Sequence, residues 1–157
     1  MKKYAPWLGL AARLILGGVL ITAGWLKAFN VSDAENAVRA YQVLPLPIAD
    51  LVGIALPWIE IALGILLVLG VATRFSAIAG GTIMVIFILA IAQAALRGLS
   101  IDCGCFGGGG QVEPGKTKYL QEIARDLIFA LLAFYIYRYP NSKFALSKES
   151  VDGTEER

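Results

Sequence analysis

Residues 7–28 read WLGLAARLILGGVLITAGWLKA, an apolar run that follows Lys2 and Lys3. The run is too long for the apolar part of a signal peptide, and no small-residue cleavage pattern closes it. It has about the 20 residues that cross the hydrocarbon of a bilayer. We therefore predict a first transmembrane helix here. Similar runs predict three more, over residues 48–71, 75–96 and 119–137.

The composition of the 157 residues agrees with a membrane protein. Hydrophobic residues make up 57% of the chain and charged residues 17%, whereas soluble domains are roughly 45–50% apolar. The predicted fold is an all-α, integral membrane four-helix bundle embedded in the lipid bilayer, in one domain over residues 1–140. Residues 141–157 are predicted to form a polar, disordered cytoplasmic tail. The net charge of +2 comes without a dense basic run, so no nucleic acid partner is expected.

The connection between the first two predicted spans has a pattern of its own. Ser32 and Glu35 have the spacing of a capping box. Ala34, Val38 and Tyr41 then recur at helical spacing. This pattern predicts a short amphipathic helix on the membrane surface.

Basic residues predict the orientation. With both termini in the cytoplasm, eight Lys or Arg residues lie inside and five outside, Arg125 being within a span. The positive-inside rule then favours this orientation for a multi-pass membrane protein. The predicted location is the bacterial inner membrane. In this orientation the connection over residues 97–118 is extracytoplasmic.

That connection contains the sequence Asp102-Cys103-Gly104-Cys105-Phe106-Gly107, followed by three more glycines. Cys103 and Cys105 are the only cysteines of the chain. A disulfide between them closes a loop with one residue inside it, so it would constrain the unfolded chain very little. A zinc site normally has four ligands, and the chain has no histidine and no third thiol. We therefore predict no metal, although a linear copper(I) site stays open as an alternative.

A redox-active pair explains the motif best. Gly104 allows the backbone to bend so that the two sulfurs can meet, and strained, exposed disulfides are the labile kind. Cys103 and Cys105 are thus the predicted catalytic residues. The neighbouring residues are predicted to support them by leaving room for a partner's sulfur; they are Asp102, Gly104, Phe106 and Gly107. The charge of Asp102 is expected to raise the pKa of the Cys103 thiol. Which sulfur is attacked is left open.

Polar residues inside the predicted spans form a second signal. Glu60 falls near the middle of the second span, where an isolated carboxylate is costly. Its candidate partners are Arg13, Lys27 and the pair Arg125-Asp126. Two interpretations remain open: a buried salt bridge that fixes helix register, and a proton-relay or quinone-site role.

Several motifs spread along the chain resemble one family of membrane proteins. They are Arg13 with Gly17, Ala23-Gly24-Trp25-Leu26-Lys27, Leu44-Pro45, Leu56-Pro57 with Glu60 and Gly64, Cys103-Gly104-Cys105-Phe106-Gly107, and Arg125-Asp126. Together they look like the methylamine utilisation protein MauE family, within the wider DoxX-like group of four-helix membrane proteins. The Cys-Gly-Cys-Phe-Gly block is the most specific part.

The resemblance implies a role in maturing the disulfide-rich small subunit of methylamine dehydrogenase in the periplasm. The group is also similar to enzymes of the vitamin K epoxide reductase and DsbB type, which makes quinone a candidate cofactor. Those enzymes use Cys-x-x-Cys and a second pair, whereas this chain has a single Cys-x-Cys pair.

Two functional hypotheses follow. The first is a membrane thiol-disulfide oxidoreductase or electron conduit that supports disulfide formation in exported proteins, with an extracytoplasmic thioredoxin-like or cysteine-containing partner. The second is a non-catalytic scaffold or assembly subunit of a respiratory or dehydrogenase complex. The sequence predicts no oligomeric state and no direction of electron flow.

Overall fold

The computed structural model describes residues 5–105 and 108–140. This part of the chain forms five helices and one pair of short strands. The elements in chain order are α1 (Ala5–Ala28), α2 (Val31–Ala40), α3 (Leu46–Leu69), α4 (Thr73–Leu96), β1 (Ile101–Asp102), β2 (Gly110–Gln111) and α5 (Tyr119–Arg138). The four long helices confirm the helical part of each predicted span to within two residues at every end. The predicted tail lies outside the described residues.

Glycines bring α1 and α3 close together. A Cβ atom at Gly24 would lie 2.5 Å from the backbone oxygen of Pro57, and one at Gly64 would lie 2.7 Å from that of Gly17. Small residues of this kind let the backbones of membrane helices approach closely. α4 packs mainly on α5. Leucine and isoleucine side chains from all four long helices fill the space between them, together with Met84.

The outer surfaces of the long helices carry many large apolar side chains. Trp25, Leu51, Phe75 and Leu89 are all more than half exposed, a pattern typical of a surface that faces lipid. Among the described residues, three helices are long and apolar enough to cross a membrane, over Trp7–Ala28, Leu46–Leu69 and Thr73–Leu96. The prediction of a multi-pass membrane protein is therefore supported by three spans.

α5 differs from these three helices because its first two turns are charged. Glu122, Arg125 and Asp126 fall within this part of the helix, so its mean hydropathy is lower. A bundle of four spans is thus not established by length and composition alone. The all-α description also needs a correction, because β1 and β2 pair antiparallel, with Ile101 opposite Gln111 and Asp102 opposite Gly110.

The predicted amphipathic helix is present as α2, but its cap is not the predicted one. The N-cap residue is Asn30, and no side chain caps the helix, so the Ser32–Glu35 capping box is wrong. Ser32 falls inside the first turn instead. Ala34, Ala37 and Ala40 form the buried face of α2. This face packs on α3 and on the connection that carries the cysteines, which positions α2 over the dithiol.

Candidate functional site: a buried dithiol

The strand pair brings the two cysteines into one tight turn. β1 ends at Asp102, directly before Cys103, and β2 begins again at Gly110. Gly104 has a φ angle of +67°, a left-handed conformation that glycine adopts without steric cost. With this bend, the Sγ atoms of Cys103 and Cys105 lie 2.8 Å apart. Closing a disulfide, about 2.05 Å long, needs less than 1 Å of further approach.

The prediction that the cysteines are exposed is wrong. Cys103 is 8% exposed and Cys105 6%. The reason is α2, whose Ala37 lies directly over Gly104. A Cβ atom at Gly104 would lie 2.7 Å from the Cβ of Ala37. The glycines of this loop therefore allow it to pack under a helix. Their predicted role was to give a partner's sulfur access to the cysteines.

The two thiols have different electrostatic surroundings. Cys103 accepts from the backbone N–H of Cys105 at 3.3 Å and from Nη2 of Arg125 at 3.5 Å. The two Sγ atoms are also within hydrogen-bonding distance of each other, at 2.8 Å. This hydrogen bond and that from Arg125 lower the pKa of Cys103 although burial opposes them. The hydrogen bond with Cys103 and burial raise the pKa of Cys105.

The expected effect of Asp102 is therefore wrong. Its carboxylate does not raise the pKa of Cys103 above the ordinary value, because the donors from Cys105 and Arg125 dominate. Asp102 is exposed, and its Oδ1 accepts a hydrogen bond from the backbone N–H of Gly104 at 3.1 Å. Asp102 thus stabilises the turn. Phe106 and Gly107 lie outside the described residues, so their predicted supporting roles stay predictions.

The first turns of α5 carry three charged side chains to the dithiol. Arg125 contacts both Cys103 and Asp126, whose Oδ1 lies 3.0 Å from the guanidinium Nε. A carboxylate oxygen of Glu122, one turn earlier, lies within 4.8 Å of the Cys103 Sγ. Sequence analysis missed Glu122. Its spacing of three and four residues before Arg125 and Asp126 places it on the same helix face, and this signal could have revealed it.

Glu60 is paired, as predicted, and its partner is Lys27. The Lys27 Nζ lies 2.8 Å from Oε1 and 2.7 Å from Oε2 of Glu60. Arg13 instead donates to backbone oxygens of α3, to Leu67 at 2.9 Å and to Val68 at 3.1 Å. The structure therefore separates the predicted intramembrane polar residues into two ion pairs and one arginine that binds the end of a helix.

The Lys27–Glu60 pair lies near the dithiol. Glu60, Cys105 and Asp126 line the same small cavity, of about 10 Å³. Lys27 lines a second one, of about 30 Å³, together with Cys103 and Gly104. Buried charges of α1, α3 and α5 thus surround the inner side of the cysteine turn.

An apolar cleft of about 490 Å³ lies between α2, α3 and α4. Four of its lining residues also line the small cavity next to Cys103; they are Val38, Tyr41, Leu56 and Phe87. The Tyr41 hydroxyl donates to the backbone oxygen of Cys103 at 3.4 Å, and burial raises the pKa of this phenol. Gln93 donates to the backbone oxygen of Tyr41 at 3.0 Å. The cleft is thus connected through Tyr41 to the dithiol.

The site also offers oxygen and sulfur atoms that could hold a metal ion. Ligand atoms of Asp102, Cys103 and Glu122 all lie within 4.8 Å of one another. The guanidinium of Arg125 points at the same sulfur from 3.5 Å, and its positive charge opposes a cation there. The absence of a metal centre stays a prediction.

Fold and site together define a multi-pass membrane protein with a buried dithiol in the connection before its last helix. The family model of methylamine utilisation protein MauE matches residues 5–138. The chain belongs to this family.

Curated relatives agree with this assignment. The methylamine utilization protein MauE of Methylorubrum extorquens is 40% identical over 117 residues, covering 74% of this chain and 61% of the relative. That of Paracoccus denitrificans is 32% identical over 105 residues, covering 66% of this chain and 56% of the relative. The match thus spans a little over half the length of these relatives. No solved structure matches the chain.

Proposed function

We propose that this chain is a membrane thiol-disulfide redox protein that exchanges disulfides with exported proteins through Cys103 and Cys105. The observation that carries the proposal is the approach of the two sulfurs to 2.8 Å with Arg125 directed at one of them. A pair of thiols used for exchange needs one sulfur that forms a thiolate and another close enough to resolve the mixed disulfide. By its lowered pKa, Cys103 is the attacking sulfur, and Cys105 is the resolving one.

Membership of the family supports maturation of exported proteins, of the kind required by methylamine dehydrogenase, as the process served. The partner in this proposal is an extracytoplasmic thioredoxin-like or other cysteine-containing protein. Because Cys103 is only 8% exposed, exchange requires the contact between Gly104 and Ala37 to open. The partner's sulfur then has room to approach in line with the bond that breaks.

The residues next to the dithiol fit a quinone. The lining of the cleft is apolar, and Tyr41 and Phe87 give it aromatic surfaces between the lipid and the cavity next to Cys103. When bound, a quinone would supply a two-electron acceptor. Tyr41, Leu56 and Phe87 would hold it, with Gln93 at the polar edge of the cleft.

We also propose a topology and domain limits for the chain. α5 is the fourth span, and its charged turns lie against the other helices, because Glu122 and Asp126 are both buried. The domain over residues 1–140 lies in the bacterial inner membrane, with both termini and the tail over residues 141–157 in the cytoplasm. The cysteines are on the extracytoplasmic side.

Two single-cysteine variants test this topology. They are Lys116→Cys and Arg138→Cys, each made in a chain in which both native cysteines are replaced by serine. Lys116 follows β2 and Arg138 ends α5, and both are exposed. A membrane-impermeant maleimide should label Lys116→Cys in intact spheroplasts and Arg138→Cys only after permeabilisation. The cysteine-free chain is the control for background. The reverse pattern of labelling would invert the topology.

Trapping of a covalent adduct tests the exchange itself. In cells that carry the Cys105→Ser chain, Cys103 should form a mixed disulfide with its partner that no second thiol can resolve. We expect a larger species on non-reducing gels that reductant converts back. Cys103→Ser should give no such species, because the Cys105 thiol ionises less readily. The readout is the mass of the adduct and the sequence of the captured peptide.

Two results contradict the proposal. An adduct formed equally by both variants would remove the assigned roles of the two sulfurs. No adduct from either variant, together with full function of the double variant, would favour the non-catalytic scaffold instead. Cys103→Ser and Cys105→Ser each replace one sulfur atom of the native chain by oxygen, so each variant serves as the other's control for folding.

A further inference from the structure

We propose that Glu122 is a catalytic proton acceptor for Cys103, an inference that rests on the proposed dithiol chemistry. The reacting thiol must lose its proton before it attacks. Cys103 is 8% exposed, so bulk water has little access to this proton. The chain has no histidine to take it. The proton acceptor must therefore be another side chain that reaches Cys103.

Four carboxylates of the described residues lie close to the cysteine pair, and one of them, Glu60, is already paired with Lys27. The other three differ in their exposure and in their distance from Cys103. Oδ1 of Asp102 accepts from Gly104, and this side chain is exposed to solvent. Oδ1 of Asp126 is held by Arg125 at 3.0 Å and its Oδ2 has no partner among the described residues, but Asp126 shares a cavity with Cys105 and not with Cys103. A carboxylate oxygen of Glu122 lies within 4.8 Å of the Cys103 Sγ, and Glu122 is buried, whereas Asp102 is exposed. The geometry thus selects Glu122 for Cys103.

Burial strengthens this assignment. Glu122 is 8% exposed, and its Oε2 has no hydrogen-bond partner among the described residues. A buried carboxylate oxygen without a donor is costly, and taking a proton lowers this cost by removing the buried negative charge. Titratable and charged groups act on Glu122 from four places. They are Asp102 on β1, Tyr41 at the end of α2, Cys103 in the cysteine turn and Arg125 on α5. Arg125 meanwhile stabilises the sulfur after it becomes negative.

The proton balance of the exchange is complete with these groups. The Cys103 thiol transfers its proton to the Glu122 carboxylate and becomes a thiolate. The thiolate attacks a partner disulfide, so that one S–S bond forms, the partner's S–S bond breaks, and the leaving thiolate takes the proton from Glu122. Cys105 then attacks the mixed disulfide and passes its own proton to the second leaving thiolate. The cysteine pair is oxidised by two electrons and the partner is reduced. In the opposite direction Glu122 is the proton donor.

The pH dependence of Cys103 alkylation tests the role of Glu122. The full-length Cys105→Ser chain in lipid nanodiscs is treated with iodoacetamide at a series of pH values. A proton shared by Cys103 and Glu122 should give a rate that rises in two steps, since two coupled groups titrate as a pair. Adding Glu122→Gln should leave a single step, and Glu122→Asp should keep two. Exchange with a small disulfide, oxidised glutathione, should slow by about 100-fold in Glu122→Gln.

Glu113→Gln is the matched control, because Glu113 is an exposed carboxylate in the same connection. It should keep both steps and the full exchange rate. Circular dichroism reports folding of each variant, and if Glu122→Gln does not fold, the profile of Glu122→Asp decides. Two results would overturn the inference. One is a single step in the Cys105→Ser chain and in its Glu122→Asp version. The other is two steps in a folded Glu122→Gln version. If the alkylation profiles contradict the role of Glu122 but an adduct is still trapped in cells, the exchange function stands without Glu122. If the profiles are as expected but no adduct forms in cells, the exchange function fails while the proton sharing between Glu122 and Cys103 stands.

Discussion

Glu60→Leu lowers the free energy of unfolding by about 3–5 kcal/mol, because it leaves a buried cation without its counter-charge. Lys27 is 6% exposed and Glu60 1%, and the Nζ contacts both carboxylate oxygens within 2.8 Å. After the substitution, the ring of Phe87, with its centroid 5.4 Å from Nζ, cannot replace a negative charge. Glu60→Gln should be milder, since an amide oxygen still accepts from Lys27. Denaturation in detergent micelles, followed by circular dichroism, measures the difference.

Two control variants show whether the loss comes from desolvation. Glu113 forms an ion pair with Lys116 at 2.6 Å, but both side chains are more than two thirds exposed, and exposed pairs contribute little. Glu113→Leu should therefore change stability far less than Glu60→Leu. In the double variant Lys27→Met/Glu60→Leu, the buried charge is removed together with its partner, and stability should largely return. If Glu60→Leu and Glu113→Leu cost the same, the pair at Lys27 is not desolvated.

The long helices could be predicted from the sequence because they depend on local composition. Their apolar runs are bounded by charged or helix-breaking residues, so the limits of α4 agree with the predicted span within two residues. The presence of a partner for Glu60 also follows from burial alone. Its identity does not, because Arg13 and Lys27 lie on the same helix. The close approach of α1 and α3 at Gly24 decides which of them reaches Glu60.

The details of the dithiol depend on contacts between distant parts of the chain. The sequence indicates a redox pair from Cys103-Gly104-Cys105, but the burial of the pair comes from α2, more than 60 residues earlier. The lowered pKa of Cys103 needs Arg125, which lies 22 residues later. A local pattern contains neither contact. A glycine-rich loop is predicted to be exposed, but this one is buried because it packs against Ala37.

Gly104→Ala is expected to displace the cysteine turn from α2. The φ angle of +67° costs an alanine about 1–2 kcal/mol, and the new Cβ would lie 2.7 Å from that of Ala37. The turn must move outward, so both thiols should become accessible and Cys103 should lose the donor from Arg125. We expect the reduced chain to react at least about tenfold faster with a bulky maleimide, because local opening of this contact, worth roughly 1.4 kcal/mol per factor of ten, is no longer required. Labelling followed by mass spectrometry measures the rate at each cysteine.

Gly108→Ala separates the contact with α2 from the backbone strain. Gly108 has a φ angle of +70°, and a Cβ there would meet nothing within 4 Å. The two alanines thus carry the same backbone cost, while the one at position 104 alone collides with a helix. Gly108→Ala should leave maleimide labelling slow, and Ala37→Gly should restore slow labelling to the Gly104→Ala chain by removing the atom it strikes. Equally fast labelling of Gly104→Ala and Gly108→Ala would show that backbone strain in the turn, and not the collision with α2, exposes the dithiol in these variants.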